Sequence, residues 1–373
     1  MRTKIIAALL AVLTALGGLN LFKSIKDRLL PPATAQTAEV VEIADKSEKG
    51  NSHIRVRLRS QEAVDVRERV RVRVRSQEAV DVRERVRVRE NDSRVMIEKR
   101  FDVREGQALV IDTEHADVEI ETGDVDEAYV RVSLDSNRME SAVERFEEMN
   151  FQVEMVGDEV RVISEPLRSN WNWNGRFALD VFVTIPERFN ANLTTTHGDV
   201  ELDDLNGIVL LNTTHGDVSA STIRGAKISL KSTHGDIEAD ALISDQVSVN
   251  TTHADIEVGE VSSQKFLAKT THSDVIVKYL SSDSDITTSH GDIEITLTDD
   301  FSAELNTTHG DVMVLVPSDI SADLDLKAPQ VRVASGFAFD GNVKKDDVTG
   351  RINSGGKLIK ARTTHGSVHL KNK

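Results

Sequence analysis

The residues best suited to chemistry in this chain recur at a fixed spacing. A short motif, Thr/Ser-His-Gly/Ala/Ser-Asp-Val/Ile, places histidines at His197, His215, His234, His253, His272, His290 and His309, the successive gaps being 18, 19, 19, 19, 18 and 19. Two positions after each comes an acid: Asp199, Asp217, Asp236, Asp255, Asp274, Asp292 and Asp311. Imidazole nitrogen and carboxylate oxygen are ligands for Zn²⁺, Cu²⁺ and Ni²⁺, so a ladder of such pairs is a candidate divalent-metal rail between adjacent repeats. The same pattern arises when a repeat copies its corner, the histidines stacking and each Asp closing its own turn through backbone amides. Active sites are singular, whereas this motif is serial. No nucleophile, base and orienting group can be assembled from it, and the expectation is a protein without catalytic residues or an organic cofactor. A glycan-cleaving β-helix enzyme is the rival from another class. It would need a unique cluster of Asp, Arg or Lys on one face, and none stands out.

The elements that carry the motif follow from the apolar pattern around it. After each copy comes alternation, as in Val200 and Leu202, Ile237 and Ala239, or Ile293 and Ile295; before the next comes another apolar pair, as in Val209 and Leu211 or Val247 and Val249. Period two means strands, and a unit of this length with turn-rich segments such as Asp203–Gly207 leaves no room for a helix. Seven in-register copies define a repeat architecture. The expected fold is all-β: a single-stranded β-solenoid (β-helix) of 18–19-residue coils, each of two short strands, stacked at the inter-strand spacing over 191–373. Parity reverses between Thr213 and Val218, so alternation breaks across His-Gly-Asp, which makes that tripeptide a corner with Gly supplying backbone freedom. An outlying copy sits at His115 and Asp117. A late one, Thr364-His365-Gly366-Ser367, comes well after His309 and leaves room for about three further coils.

Composition bounds the remaining possibilities. The chain has 373 residues, 39 % hydrophobic, enough to build a core, and length alone allows two or three domains or one long array. Aromatics are only 4 %, which argues against a deep aromatic pocket, and the absence of cysteine excludes disulfides and thiolate metal sites. Against 62 Asp+Glu stand 46 Lys+Arg, a net charge of −16. Residues 105–373 hold most of that excess, with 23 basic against 47 acidic side chains. Such a body repels phosphate backbones, and no nucleic-acid partner is expected.

The N-terminal third reads differently. Residues 1–30 carry a basic start, an apolar run from Ile5 to Phe22 and a second basic cluster. That is a signal peptide or an N-terminal membrane anchor, with small-residue cleavage sites at Ala15-Leu16-Gly17 and Ala33-Thr34-Ala35. Either implies export to the periplasm or cell envelope, with membrane association through 5–22 if the segment is retained. Residues 31–52 read as a linker. Residues 53–104 are Arg/Val-rich: from Ile54 to Val88 nearly every apolar residue falls on an even position and the arginines on odd ones, and the run SQEAVDVRERVRVR occurs at both 60–73 and 76–89. This is a duplicated β segment whose cationic face suits an anionic partner such as lipid headgroups or acidic glycan, or cross-strand Arg–Glu pairing.

Residues 105–190 are expected to hold a first coil and a small α+β capping subdomain. Met139, Ala142, Val143, Phe146 and Met149 have helical spacing, Gly157-Asp158 joins two strands as a hairpin, and Ala178–Pro186 is a strand. Trp171 and Trp173 share one face of an extended loop, where they either stack on sugar rings or pack within the cap.

The strand end Val183-Thr184-Ile185-Pro186, the Gly-Asp-Val/Ile triplets at 198–200, 216–218, 235–237, 291–293 and 310–312, and Asn353-Ser354-Gly355-Gly356 together resemble a bacterial β-strand-repeat domain of unknown function, labelled putative adhesin. The likeness spans roughly 105–373. It implies stacked short strands in an envelope-associated protein without a described catalytic site, and histidine here stands where that family more often has serine. The resulting expectation is an exported, non-enzymatic scaffold or adhesin-like binding surface whose partner is an envelope component or surface ligand. A metal-binding rod built on the His/Asp ladder is the alternative.

Overall fold

A computed structural model of the chain describes residues 39–48, 51–59, 72–75, 93–167 and 176–373. These residues fall into two compact units, Met1–Val88 and Arg89–Lys373. Residues 1–38, the greater part of the duplicated Arg/Val run, and Trp171 and Trp173 lie outside the described residues, and with them the expectations placed there.

In the first unit, β1 (Glu39–Glu48), β2 (Asn51–Arg59) and β3 (Val72–Arg75) form an antiparallel sheet. Ser47 pairs with Ser52, and Ser52 in turn with Val74. The stretch read as a linker over 31–52 thus contributes a strand, for which Val40, Val41 and Ile43 are β-favouring residues.

The second unit begins earlier than the alternation suggested. Strand β4 (Ser93–Asp102) belongs to it, pairing antiparallel with β7 (Glu127–Ser136). Between these come β5 (Ala108–Thr113) and β6 (Ala116–Gly123). Helix α1 (Met139–Glu148) packs on β7, burying Ala142 and Phe146, and the Phe146 ring stacks 5.0 Å from Phe151. The hairpin of β8 (Gln152–Val156) and β9 (Glu159–Ile163) turns at Gly157, φ +61°, and β10 (Phe177–Pro186) follows.

Beyond it the chain lays down β11 (Asn190–Thr195), β12 (Val200–Leu202), β13 (Leu205–Asn206) and β14 (Val209–Asn212). Four long bent strands come next: β15 (Val218–Lys231), β16 (Ile237–Asn250), β17 (Ile256–Lys269) and β18 (Val275–Thr287). Then follow β19 (Ile293–Leu297), β20 (Ala303–Asn306) and β21 (Val312–Val316). Pairing is parallel and steps by one repeat: Val200 faces Val218, Val218 faces Ile237, Ile237 faces Ile256, and so on to Val312. Equivalent side chains therefore stack in rows, as a parallel sheet buried on its inner face requires. Three apolar rows fill the interior rather than the two expected. One runs through Val218, Ile237 and Ile256, one through Ile228, Val247 and Phe266, and a third through Leu205, Ile223, Leu242, Val261, Leu280 and Leu297, all at most 2 % exposed. The third row comes from segments read as turns; short apolar residues among Gly, Ser and Asp keep pairing there with the neighbouring repeats.

Both ends depart from chain order. At one end β5 lies between β9 and β11, and β6 between β10 and β12, so the rung met first in the chain is second in the stack. At the other, β22 (Ala322–Lys327) and β23 (Gln330–Val333) are followed by β24 (Phe339–Val343) and β25 (Asp347–Ile352). The chain then returns as β26 (Lys357–Arg362), inserted between β20 and β22, and β27 (Ser367–Asn372), inserted between β21 and β23. Residues 317–356 thus reach past the returning strands, where sequence spacing had left room for three further coils. Cationic β26 sits among acids of its neighbours. Lys360 bonds Glu304 at 2.6 Å, Arg362 bonds Asp325 at 2.7 Å and Lys357 bonds Asp283 at 3.1 Å. Among the described residues no helix is long and apolar enough to cross a membrane.

Candidate functional site

The corner of each repeat is built from the same bonds. Two residues before the histidine a buried hydroxyl donates to the carbonyl of the previous corner: Thr213 to Gly198, Ser232 to Gly216, Thr251 to Gly235, Thr270 to Ala254, Thr307 to Gly291. The histidine amide donates to a carbonyl one repeat back, as from His215 to Thr196 and from His234 to Thr214, both at 2.9 Å. The residue after it is pressed against the preceding corner. A Cβ on Gly216, Gly235, Gly291 or Gly310 would lie 1.9 Å from a backbone oxygen there. These glycines are absent from the positive-φ residues, so where the corner carries glycine it answers lack of space rather than a need for backbone freedom; Ala254 and Ser273 stand at the same place in two repeats.

The aspartates bond from one repeat to the next. The amide of Asp199 donates to Asp117 Oδ1, that of Asp217 to Asp199, Asp236 to Asp217, and Asp255 to Asp236, each at 3.0 Å. The chain of bonds continues through Asp274, Asp292 and Asp311 to the amide of Ser367, at 2.7–2.9 Å. The acid groups thereby form a hydrogen-bonded rail running through every corner. Burial pushes the Asp255 carboxyl above its ordinary value, against the bond it accepts from the Asp274 amide.

The imidazoles form a second rail. His197, His215, His234, His253, His272, His290 and His309 are exposed and stacked, successive centroids 4.7–5.2 Å apart and ring planes within 6°. The outlying copies join them. His115 stacks on His197 at 4.6 Å and His365 on His309 at 4.5 Å, because the end rungs are inserted out of chain order. That extension to nine rings was not legible from spacing, since several repeat lengths of sequence separate each outlying histidine from the ring it meets. His115 is the half-buried member. Burial lowers its pKa and the neighbouring His197 lowers it further, against a rise from Glu114.

In four corners the ring also bonds the backbone: Nδ1 of His215, His234, His290 and His365 lies 3.3–3.4 Å from the carbonyl of Thr196, Thr214, Thr271 and Thr308. A carbonyl only accepts, so Nδ1 carries the proton and Nε2 keeps the lone pair of the neutral ring. Of the predicted ligands, the structure stacks histidine on histidine and links aspartate to aspartate through the corner amides. Among the described residues no group of three or more His, Asp or Glu side chains converges as a metal would require. An open groove of about 620 Å³ runs past Arg224, Ser244, Asp245, Ser263, Gln264 and Phe301. It contributes a single carboxylate, already accepting from Gln264, where glycoside cleavage calls for a pair.

A stack of parallel rungs closed by antiparallel strands, with one corner copied along its length, defines a repeat-built β protein. The chain belongs to the family described as Toastrack DUF4097, whose model matches residues 107–371. No curated protein matches it. Among solved structures it is similar to a putative adhesin from Bacteroides fragilis, at 12 % identity over 74 % of this chain and 96 % of that one, TM-score 0.40. A putative adhesin from Parabacteroides distasonis gives 11 %, the same coverages and a TM-score of 0.45. A putative lipid binding protein from the same species gives 13 %, again over 74 % and 96 %, with a TM-score of 0.34.

Proposed function

We propose that this chain is an exported, non-enzymatic scaffold of the bacterial cell envelope, a single-stranded β-solenoid of 18–19-residue coils with an α+β cap, presenting a repeated binding surface in the manner of an adhesin. The observation that carries the reading is the seriality of the corner. The same hydroxyl, amide and carboxylate bonds recur from one repeat to the next, and the chemistry-bearing side chains differ little between rungs. A catalyst concentrates its groups in one place; a surface that repeats offers a ligand many equivalent weak contacts that add through effective concentration. The acidic body disfavours nucleic acid, leaving an envelope component or surface ligand as partner. Residues 1–30 would direct export, with 5–22 as the membrane attachment if retained.

The test is fractionation of producing cells followed by co-sedimentation of the full chain with purified peptidoglycan sacculi and with phospholipid vesicles. The reading expects the chain in the envelope fraction and a stepwise loss of binding as successive corner histidines are replaced. Recovery from the cytosol, or new reducing ends in the polysaccharide, would overturn it.

A further inference from the structure

We propose that the imidazole rail is a divalent-metal seam joining two copies of this chain, each ion bound by Nε2 atoms from both. The geometry begins with ring orientation. At His215, His234, His290 and His365 the Nδ1–H is held by a backbone carbonyl, the outer-shell contact that fixes the tautomer of metal-ligating histidines and directs Nε2 to the ion. The rings of seven successive rungs are exposed and stacked with their planes within 6°, so equivalent Nε2 lone pairs run parallel, on the side of the ring away from the backbone carbonyl.

One copy cannot complete a site with these atoms. Neighbouring rings are near-translations of each other, so their Nε2 atoms are separated by about the centroid spacing of 4.5–5.2 Å. With metal–nitrogen bonds of about 2.0–2.1 Å, an ion spans at most about 4.2 Å even when its two ligands are opposed, and parallel lone pairs do not oppose. One oxygen of each nearby aspartate accepts an amide proton from the next rung. Each imidazole therefore offers one bond.

A second copy supplies one further nitrogen per ion, with water filling the remaining coordination positions. A rail of constant pitch is complementary to itself under a two-fold axis, so every ion can take one nitrogen from each side along the whole ladder. An unrelated partner would have to reproduce that pitch over nine rungs. Charge makes the metal necessary: residues 105–373 carry 23 basic against 47 acidic side chains, and two such bodies repel until cations lie between them. Ions on adjacent rungs would repel too. Occupation of alternate rungs, about 9–10 Å apart, exceeds the screening length of about 8 Å at physiological ionic strength and gives four or five ions per pair. Imidazole selects Zn²⁺, Cu²⁺ and Ni²⁺ over Mg²⁺ and Ca²⁺. The seam would cover the corner histidines that the proposed function offers to an envelope ligand, so the two compete for one face; mass gain with metal alone tests the seam, and co-sedimentation without metal tests the ligand.

The test is sedimentation velocity of the full chain with Zn²⁺, Ni²⁺ or Mg²⁺ as the only addition. Zn²⁺ and Ni²⁺ should double the mass, EDTA should restore the monomer and Mg²⁺ should do nothing. Replacing the three central rungs (His234→Gln, His253→Gln, His272→Gln) should raise the metal concentration for half-dimerisation about tenfold or more, because contacts along one seam multiply. His369→Gln, on β27 but outside the rail, should leave it unchanged. The circular-dichroism spectrum of the triple variant reports its fold; should that variant misfold, His253→Gln alone should give a smaller shift in the same direction. A chain that stays monomeric, one that binds metal without gaining mass, or correctly folded rail variants that dimerise as well as the parent would each refute the seam.

Discussion

Replacing Gly235 by alanine probes the packing of one corner on the next. The new Cβ would lie 1.9 Å from the Gly216 oxygen and 2.3 Å from its carbon, whereas contacts under 3.0 Å are essentially unknown for real Cβ atoms. The rungs must separate locally by about 1 Å. Bonds crossing that gap include His234 N to Thr214 O at 2.9 Å, Asp236 N to Asp217 Oδ1 at 3.0 Å and Ser232 Oγ to Gly216 O at 3.2 Å. The equivalent bonds at Ala254 persist, at 3.0, 3.0 and 3.4 Å, so the shift strains rather than severs them and the expected loss is the usual cost of overpacking, about 1–3 kcal/mol. The chain holds its own comparison, because Ala254 and Ser273 occupy the equivalent place. There the amides of Thr252 and Thr271 add bonds of 3.3 and 3.2 Å to the preceding repeat. Ala254→Gly relieves nothing and should change stability by no more than about 1 kcal/mol. Urea unfolding followed by far-ultraviolet circular dichroism measures both. If Gly235→Ala stays within about 0.5 kcal/mol of the parent, the range of an uneventful surface substitution, corner glycines are not selected by space.

Three further outcomes follow from the same structure. Phe266 is fully buried and faces Val247 on one rung and the small Ser284 on the other, so Phe266→Ala leaves a cavity its neighbours cannot fill and should cost about 3–5 kcal/mol by urea unfolding. The bond from Lys360 holds the Glu304 carboxyl below its ordinary value, so its contribution is complete above the usual carboxylate range and is lost as pH falls through the lowered one. Lys360→Met should lower the thermal midpoint slightly at neutral pH, by less than about 1 kcal/mol for so exposed a pair, and the gap from the parent should close in acid; a pH-independent gap contradicts this. His115 resists protonation in the fold, so its contribution is complete above the ordinary value of 6.5 and declines as pH falls from there through the lowered one. His115→Gln should flatten that decline in thermal midpoints taken across the interval.

Much of the stack was legible because its signals are periodic. The constant gap between histidines fixed the repeat, and alternation around each motif fixed which residues face inward. The helix near Met139–Glu148 and the Gly157 hairpin were equally readable, being local patterns. The order of the rungs was not. That β5 lies between β9 and β11, or that β26 slips between β20 and β22, depends on pairings between segments far apart in the chain, for which local propensity carries no signal. The third apolar row was hidden by Ser, Gly and Asp around Ile223, Leu242 and Val261, since turn-forming residues also occur where a strand bends. At the corner, the recurring residue types were legible and their contacts between repeats were not. Glycine answers a close approach from the neighbouring repeat, and each aspartate bonds an amide of the next repeat. Both are relations between repeats, which spacing within one repeat does not express.

The insertion of the first and last windings beneath their neighbours has a consequence for how such a molecule changes length. Each stopper clasps a strand that arrives from elsewhere in the chain, so a winding gained or lost at either extremity would unmake the clasp. The middle, from Val218 to Val316, is made of interchangeable windings whose upper and lower surfaces match. Duplication or deletion of a genetic segment encoding one winding there would move the two stoppers apart or together by a single pitch and leave both intact. Variation in reach would thus accumulate at the centre, with the extremities fixed.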